Sequence, residues 1–411
     1  MRKQLIALLL TALLCVFPAA KAGELDLSTV PAPQQSVPEV LSPISEAPLL
    51  DSPPIHPDCA AVMLLEADSG QIIFEMNADS PRPVASVTKV MTILLTLEQL
   101  ACGRLSPQSE VVVSESAAGM GGSQVLLDVG ERQSVATLLK CMIVGSANDA
   151  AVALAEAMYG SEALCVEAMN RRAGELVMTG THFVNCTGLP AQGQQTTARD
   201  VAVMSRQMFS HEAYFDYSTV WMEDIDHGDG RVTQLVNTNK LLKLYEGCDG
   251  GKTGSTNEAG YCVSATARRG DMRLIAVVLG ASAGKERFAI ARQMFDYGFA
   301  GYRRYPVASK GTRVRGQLPV SGGAQDGVEL LLGGDLTLLI AKGDEQRVQL
   351  TSELPQSVAA PVRAGQLIGH VAVSMDGRDV ARIPVVAAAD VEGKGFGIAL
   401  RRICENWAGK F

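Results

Sequence analysis

Apolar and polar positions alternate with different periods along the chain, and the changes of period mark its parts. Val62 to Glu66 and Gln71 to Glu75 are short apolar runs either side of Asp68-Ser69-Gly70, a turn-forming triplet, which predicts a β-hairpin. From Ala85 to Leu100 the apolar residues Val87, Val90, Met91, Leu94, Leu95 and Leu97 recur at helical spacing. Residues 134–158, rich in alanine, leucine and valine, predict one or two more helices. Beyond residue 247 the pattern turns to strands: Gly250 to Gly254, Tyr261 to Ala267 and Leu274 to Leu279, the last two joined by Arg268-Arg269-Gly270-Asp271. Residues 285–299 return to the helical period, with Phe288, Ala291, Phe295 and Phe299 on one side. Strands at both ends of a helical middle predict an α+β domain over residues 59–303, its sheet and helices in separate layers. After Arg303, short runs and frequent turns predict a small all-β domain over residues 304–390; Leu367 to Ser374 and Val380 to Val386 around Asp376-Gly377 are an example.

The two ends lie outside this periodic body. Arg2 and Lys3 precede the apolar run Leu5 to Phe17 and the small-residue pattern Ala20-Lys21-Ala22. That order reads as a cleavable signal peptide over residues 1–22, and the run is too short to span a bilayer comfortably. Residues 23–58 then read as an extended spacer: positions 24–58 hold eight prolines and six carboxylates, with no Lys or Arg. Residues 391–411 form a tail. At 100° per residue Phe396, Leu400, Ile403, Trp407 and Phe411 fall on one stripe, opposite Lys394, Arg401 and Glu405. Four cations against one carboxylate, with Trp and Phe on the apolar side, predict a membrane-surface helix over residues 394–411. Its glycines predict weak, salt-reversible binding.

Composition narrows the partners. With 411 residues, 47% hydrophobic and 19% charged, the chain is long enough for two domains with a sizeable core. A formal charge of -8 without a basic cluster argues against nucleic acid. Removing the signal leaves eight cysteines, with no Cys-x-x-Cys pair and no histidines at metal-ligand spacing. Neither a metal nor another cofactor is expected. An even number in an exported protein permits disulfides, whose pairing sequence does not give, although several can equally be small buried residues.

Three short motifs carry candidate chemistry: Ser86-Val87-Thr88-Lys89, Ser146-Ala147-Asn148 and Lys252-Thr253-Gly254. Each alone is commonplace; all three in this order are not. Ser86 and Lys89, at i and i+3, share one helix face, and Pro81 and Pro83 place Ser86 near the helix start, where free N–H groups favour developing negative charge. A serine hydroxyl needs a neighbouring base, and a lysine serves only if burial or a second cation lowers its pKa. Lys252 could be that cation. Ser146 reads as a proton relay near Ser86, and Asn148 as a residue orienting Lys89 or a substrate amide. The glycines around Lys252 suit a peptide lying along a strand edge, with Lys252 and Thr253 on its terminal carboxylate.

This motif set is that of penicillin-binding proteins and class A β-lactamases. Together with His182-Phe183-Val184-Asn185-Cys186-Thr187-Gly188-Leu189 and Asp249-Gly250-Gly251, it makes the chain resemble the D-alanyl-D-alanine carboxypeptidases, the low-molecular-mass penicillin-binding proteins. The resemblance runs from signal peptide to tail. It implies the fold of the serine β-lactamases and DD-peptidases, with about five antiparallel strands packed against helices. It implies removal of the terminal D-alanine from peptidoglycan stem pentapeptides through an acyl-enzyme on Ser86, with penicillin-type β-lactams as covalent inhibitors. It also implies an oxyanion hole made by the N–H groups of Ser86 and Ser255. Two departures stand out: Ala147 where the family usually has glycine, and Cys186-Thr187 where it often has proline and histidine.

Two other readings compete. A class A β-lactamase needs a deacylating glutamate between the second and third motifs, and Val184 to Pro190 contains no acidic residue, so a slowly released penicilloyl-enzyme is expected. A catalytically dead wall-binding scaffold would lack one of the expected side chains, and all are present. Labelling by a fluorescent penicillin separates scaffold from enzyme.

Overall fold

The computed structural model describes residues 41–45, 47–50 and 54–395. The signal segment, most of the spacer and residues 396–411 of the tail lie outside the described residues.

The hairpin expected at the start is present as strands Ala61–Glu66 and Ile72–Met76, paired antiparallel. Strands Cys248–Thr256, Gly260–Arg269 and Met272–Ala281 complete one five-stranded sheet. Met272–Ala281 lies at its centre, between Ala61–Glu66 and Gly260–Arg269, and Cys248–Thr256 forms one edge. Successive side chains of a strand point to opposite faces, and the apolar residues divide accordingly. Ala61, Met63, Leu65, Ile275, Val277 and Leu279 join one core cluster, while Val62, Leu64, Leu274, Ala276 and Val278 join the other. Helix Gly284–Gly301 covers the second face through Phe288, Ala291, Phe295 and Phe299, as its spacing predicts. Helix Ala198–Phe209 packs on the first, and Lys89–Ala101 and Asn148–Tyr159 share that core cluster in the helical layer behind it. The site motifs hang from that helical layer and from the edge strand Cys248–Thr256.

Residues 134–158 form helix Val135–Lys140, a π-turn Cys141–Gly145 and helix Asn148–Tyr159. The β region begins with Tyr302–Ala308, continues into a six-stranded sheet and buries its own cluster, including Leu318, Val328, Val373 and Val385.

Two expectations need correction. The described part of the spacer is not free of the body. Leu49 and Leu50 N–H groups bond Ile72 O and Ile73 O at 2.9 and 3.0 Å, and Leu49, Leu50 and Ile55 pack on the core. Scattered apolar residues between the prolines suffice to cover the sheet edge at Ile72–Met76, an edge that otherwise invites pairing with other chains. The tail does not begin at residue 391 either. Val391 is buried and paired with Val362, and Lys394 N–H bonds Gly322 O at 2.7 Å, so these residues strap onto the β region.

Candidate active site

Ser86 lies in a 3-10 turn, Ala85–Thr88, that leads directly into helix Lys89–Ala101. The i, i+3 spacing puts Lys89 Nζ 3.1 Å from Ser86 Oγ. Two further acceptors surround Nζ: Asn148 Oδ1 at 2.6 Å and Thr187 O at 2.7 Å. Lys89 is 0% exposed, and burial pulls its amine down to about 7, against an opposing pull from Cys186 and Asp149. Burial, not Lys252, is therefore the leading cause of the depression anticipated from the sequence.

Asn148 opens its helix and reaches both ways, its Nδ2 donating to Gly121 O at 2.6 Å. The loop carrying Gly121 is anchored by buried Asp149, which accepts from the N–H groups of Val125 at 3.0 Å and Leu127 at 3.2 Å. Ser146 stands in left-handed backbone (φ 62°) where the π-turn ends. The methyl of Ala147 is buried in the core rather than narrowing the site, which accounts for that departure.

Lys252 Nζ donates to Ser146 Oγ and to Thr253 O, both at 2.8 Å. Its pKa lies well below the ordinary lysine range, through burial first and then the charges of Lys89 and Arg287. The second and third motifs, 106 residues apart, thus touch. Gly251 turns both polar backbone groups to the open edge, where buried Tyr214 OH accepts its N–H at 3.0 Å and donates to its carbonyl at 3.3 Å. By the two-residue period of the strand, Thr253 and Ser255 turn their N–H groups the same way. Gly254 is needed for packing: a Cβ there would stand 2.6 Å from Val84 O and 2.8 Å from Ser86 N. The strand and the Ser86 turn fit only because position 254 has no side chain.

Position 188 obeys the same logic. A Cβ on Gly188 (φ 84°) would meet Ala85 O at 2.0 Å. Asn185 Oδ1 ties this turn together, accepting from Thr187 N and Gly188 N at 3.2 and 2.7 Å. A groove of about 420 Å³ opens beside the turn, lined by Ala85, Leu189, Pro190, Gln192, Thr256 and Glu258 among others.

Two contributors escaped the sequence reading. The Thr187 carbonyl is main chain and leaves no residue-type signal. Arg287 reads as an ordinary helix charge, yet its Nη1 donates to Gly254 O at 2.9 Å and Cys262 O at 3.2 Å, bracing the strand end. The seven described cysteines, including buried Cys141, Cys165, Cys186 and Cys262, are free thiols.

Residues 50–283 match the family profile described as D-alanyl-D-alanine carboxypeptidase. The chain belongs to this family. It is a serine hydrolase, a DD-carboxypeptidase of the low-molecular-mass penicillin-binding protein group. Residues 302–393 match a second profile, the C-terminal domain of penicillin-binding protein 5. The chain is 36% identical to D-alanyl-D-alanine carboxypeptidase DacF of Bacillus subtilis over 85% of its own length and 90% of that protein's. Its fold matches the crystal structure of penicillin-binding protein 5 from Haemophilus influenzae with TM-score 0.73 at 30% identity, covering 83% of this chain and 99% of that one. Penicillin-binding protein D2 from Listeria monocytogenes, solved in an ampicillin-bound form, is 30% identical with TM-score 0.54, covering 60% of this chain and all of that one. The α+β fold, the trailing β region and the family expected from the motifs are thereby established.

Proposed function

We propose that Ser86 is the nucleophile of this DD-carboxypeptidase and that Lys89 is its base. The observation that carries the assignment is the buried Lys89 amine, 3.1 Å from Ser86 Oγ and drawn down to about 7. Its neutral form donates two N–H groups, to Asn148 Oδ1 and Thr187 O, which leaves the lone pair for the serine proton. Ser86 then attacks the carbonyl between the two D-alanines of a peptidoglycan stem peptide. The N–H groups of Ser86 and Ser255 receive the oxyanion, donors commonly worth on the order of 3 kcal/mol each. Lys252, Thr253 and Gly254 hold the terminal carboxylate along the strand edge, and an anion there restores the charge that burial suppresses on Lys252. Ser146, bonded to Lys252, passes the proton to the departing D-alanine amine. Water releases the shortened peptide, and a β-lactam takes the substrate's place as a slowly hydrolysed acyl donor.

Ser86→Ala should abolish both penicillin labelling and D-alanine release while leaving the fold intact. Mass spectrometry of the penicillin-treated protein should find the adduct on the peptide carrying Ser86; an adduct elsewhere would overturn the assignment.

The same reading places the enzyme in the cell-wall space. Residues 1–22 direct export, and of the tail expected at 394–411 the part from residue 396 onward holds the protein beside anionic lipid through the Phe396–Phe411 stripe. Deleting 396–411 should end sedimentation with liposomes containing anionic lipid; equal binding by both forms would refute the anchor. Residues 59–303 then form the peptidase unit and 304–390 the β unit.

A further inference from the structure

Of the three acceptors around Lys89, only Thr187 O belongs to the main chain. A carbonyl is a fixed acceptor only if its turn is fixed, and this turn is pinned on both sides of Cys186. On one side Cys186 O accepts the Thr92 hydroxyl at 2.7 Å, from the same helix as Lys89. On the other, Cys186 N–H donates to Glu162 Oε1 at 3.1 Å. Glu162 opens helix Glu162–Glu175, whose N-cap Ser161 accepts from Leu164 N–H at 3.2 Å, so a rigid element delivers the carboxylate. Cys186 and Thr187 are both 0% exposed, so the Cys186 N–H depends on the Glu162 carboxylate as its partner.

We propose that Glu162 is a positioning residue for acylation: through the Cys186 N–H it fixes the turn that presents the Thr187 carbonyl to Lys89. This rests on the reading of Lys89 as base. If the turn relaxes, Lys89 loses one of the two bonds that aim its lone pair at Ser86. It also loses an acceptor that favours the ammonium form, so its titration moves lower. The titratable groups facing Lys89 are Cys186, Asp149 and Lys252; substitution at position 162 removes none of them, though Glu162 also meets the Cys186 thiol. Glutamine at 162 keeps an acceptor oxygen and removes the charge. Proline at 186 removes the N–H together with the thiol that also meets Glu162, so no contact of Cys186 with Glu162 is left in that background.

The test measures the acylation rate constant with a fluorescent penicillin, from about pH 5.5 to about pH 9, on the full chain together with thermal midpoints. Glu162→Ala should slow plateau acylation about 10-fold and shift the acid limb to lower pH, while Glu162→Gln stays within about 2-fold of wild type. In a Cys186→Pro background, adding Glu162→Ala should change nothing more. If Glu162→Ala fails to fold, Glu162→Asp, whose carboxyl falls short of the amide, should show the slowed rate instead. The proposal is overturned if Glu162→Ala, or Glu162→Asp in its stead, acylates at the wild-type rate with an unmoved limb, even at lower thermal stability. It is equally overturned if Glu162→Gln is as slow as Glu162→Ala, or if the alanine change is as damaging in the Cys186→Pro background as in the otherwise wild-type chain. Failure of wild-type enzyme to label at Ser86 would instead remove the reading of Ser86 and Lys89.

Discussion

Acylation by this enzyme should follow the titration of one group with a midpoint near 7, the value to which burial brings Lys89 from an ordinary 10.5. At pH 7 about half the Lys89 amines are then neutral, against about 3 in 10,000 for an unperturbed lysine, a gain of roughly 1,500-fold in competent base. With the neutral amine as the proposed acceptor of the Ser86 proton, the rate should rise with pH through about 7 and level off above it. By about pH 5 it should fall to about one hundredth of the plateau. Asp149 is one of the two groups that pull the Lys89 pKa back up, so Asp149→Asn should move the acid limb to lower pH. The measurement is kcat/KM for D-alanine release from a peptide ending in D-Ala-D-Ala, alongside rapid-mixing kinetics with a fluorescent penicillin. Both report the free enzyme and should share the midpoint. A flat profile across this range, or a limb still climbing toward 10.5, would refute Lys89 as a buried neutral base.

The strand that carries the third motif offers a steric test. Alanine at 254 would put a Cβ 2.6 Å from Val84 O and 2.8 Å from Ser86 N, so the strand and nucleophile turn must separate by roughly 0.5–0.8 Å. Gly254→Ala should therefore lower the acylation rate about 10- to 100-fold with little change in far-UV circular dichroism, and a rate within about 2-fold of wild type would show that this contact is not rate-controlling. The terminal-carboxylate assignment predicts that amidating the substrate's last D-alanine slows cleavage at least about 10-fold, and that Lys252→Ala narrows the difference between free and amidated peptides. Equal rates on the two peptides with wild-type enzyme would remove that role.

The elements legible in the sequence are those whose signal is local. The hairpin around Asp68-Ser69-Gly70, the helix after Ser86 and the strands around Arg268-Arg269-Gly270-Asp271 announce themselves through period and turn residues, and all are present. Ser86 and Lys89 were legible because one helical turn enforces their contact. The contact between Ser146 and Lys252 was not anticipated, since the motif set placed Ser146 near Ser86 and no local rule joins residues 106 positions apart. Thr187 was illegible because its contribution is a carbonyl common to every residue type. The spacer misled for a compositional reason. Prolines and carboxylates dominate residues 24–58, yet Leu49, Leu50 and Ile55 supply enough apolar surface to dock the chain against a sheet edge.

The local irregularities concentrate where the chemistry is placed. Ala85 and Ser146, neither of them glycine, occupy left-handed backbone at φ 49° and 62°, immediately beside the proposed nucleophile Ser86 and at the proposed relay. Such conformations cost about 1–3 kcal/mol each and persist only where the surroundings impose them. Here the surroundings are identifiable. Gly188 and Gly254 let two backbones close on the Ala85–Ser86 turn from different sides, and the π-turn Cys141–Gly145 sets the chain direction into Ser146. Two fully buried lysines add a desolvation penalty that a core of leucines would not carry. The helices packed on both faces of the five-stranded sheet hold these unfavourable groups in place. A helix–sheet body this regular therefore contributes to catalysis indirectly. It keeps a buried lysine with a lowered pKa and a strained serine turn within hydrogen-bond distance of each other, an arrangement that relaxed backbone and open solvent would undo.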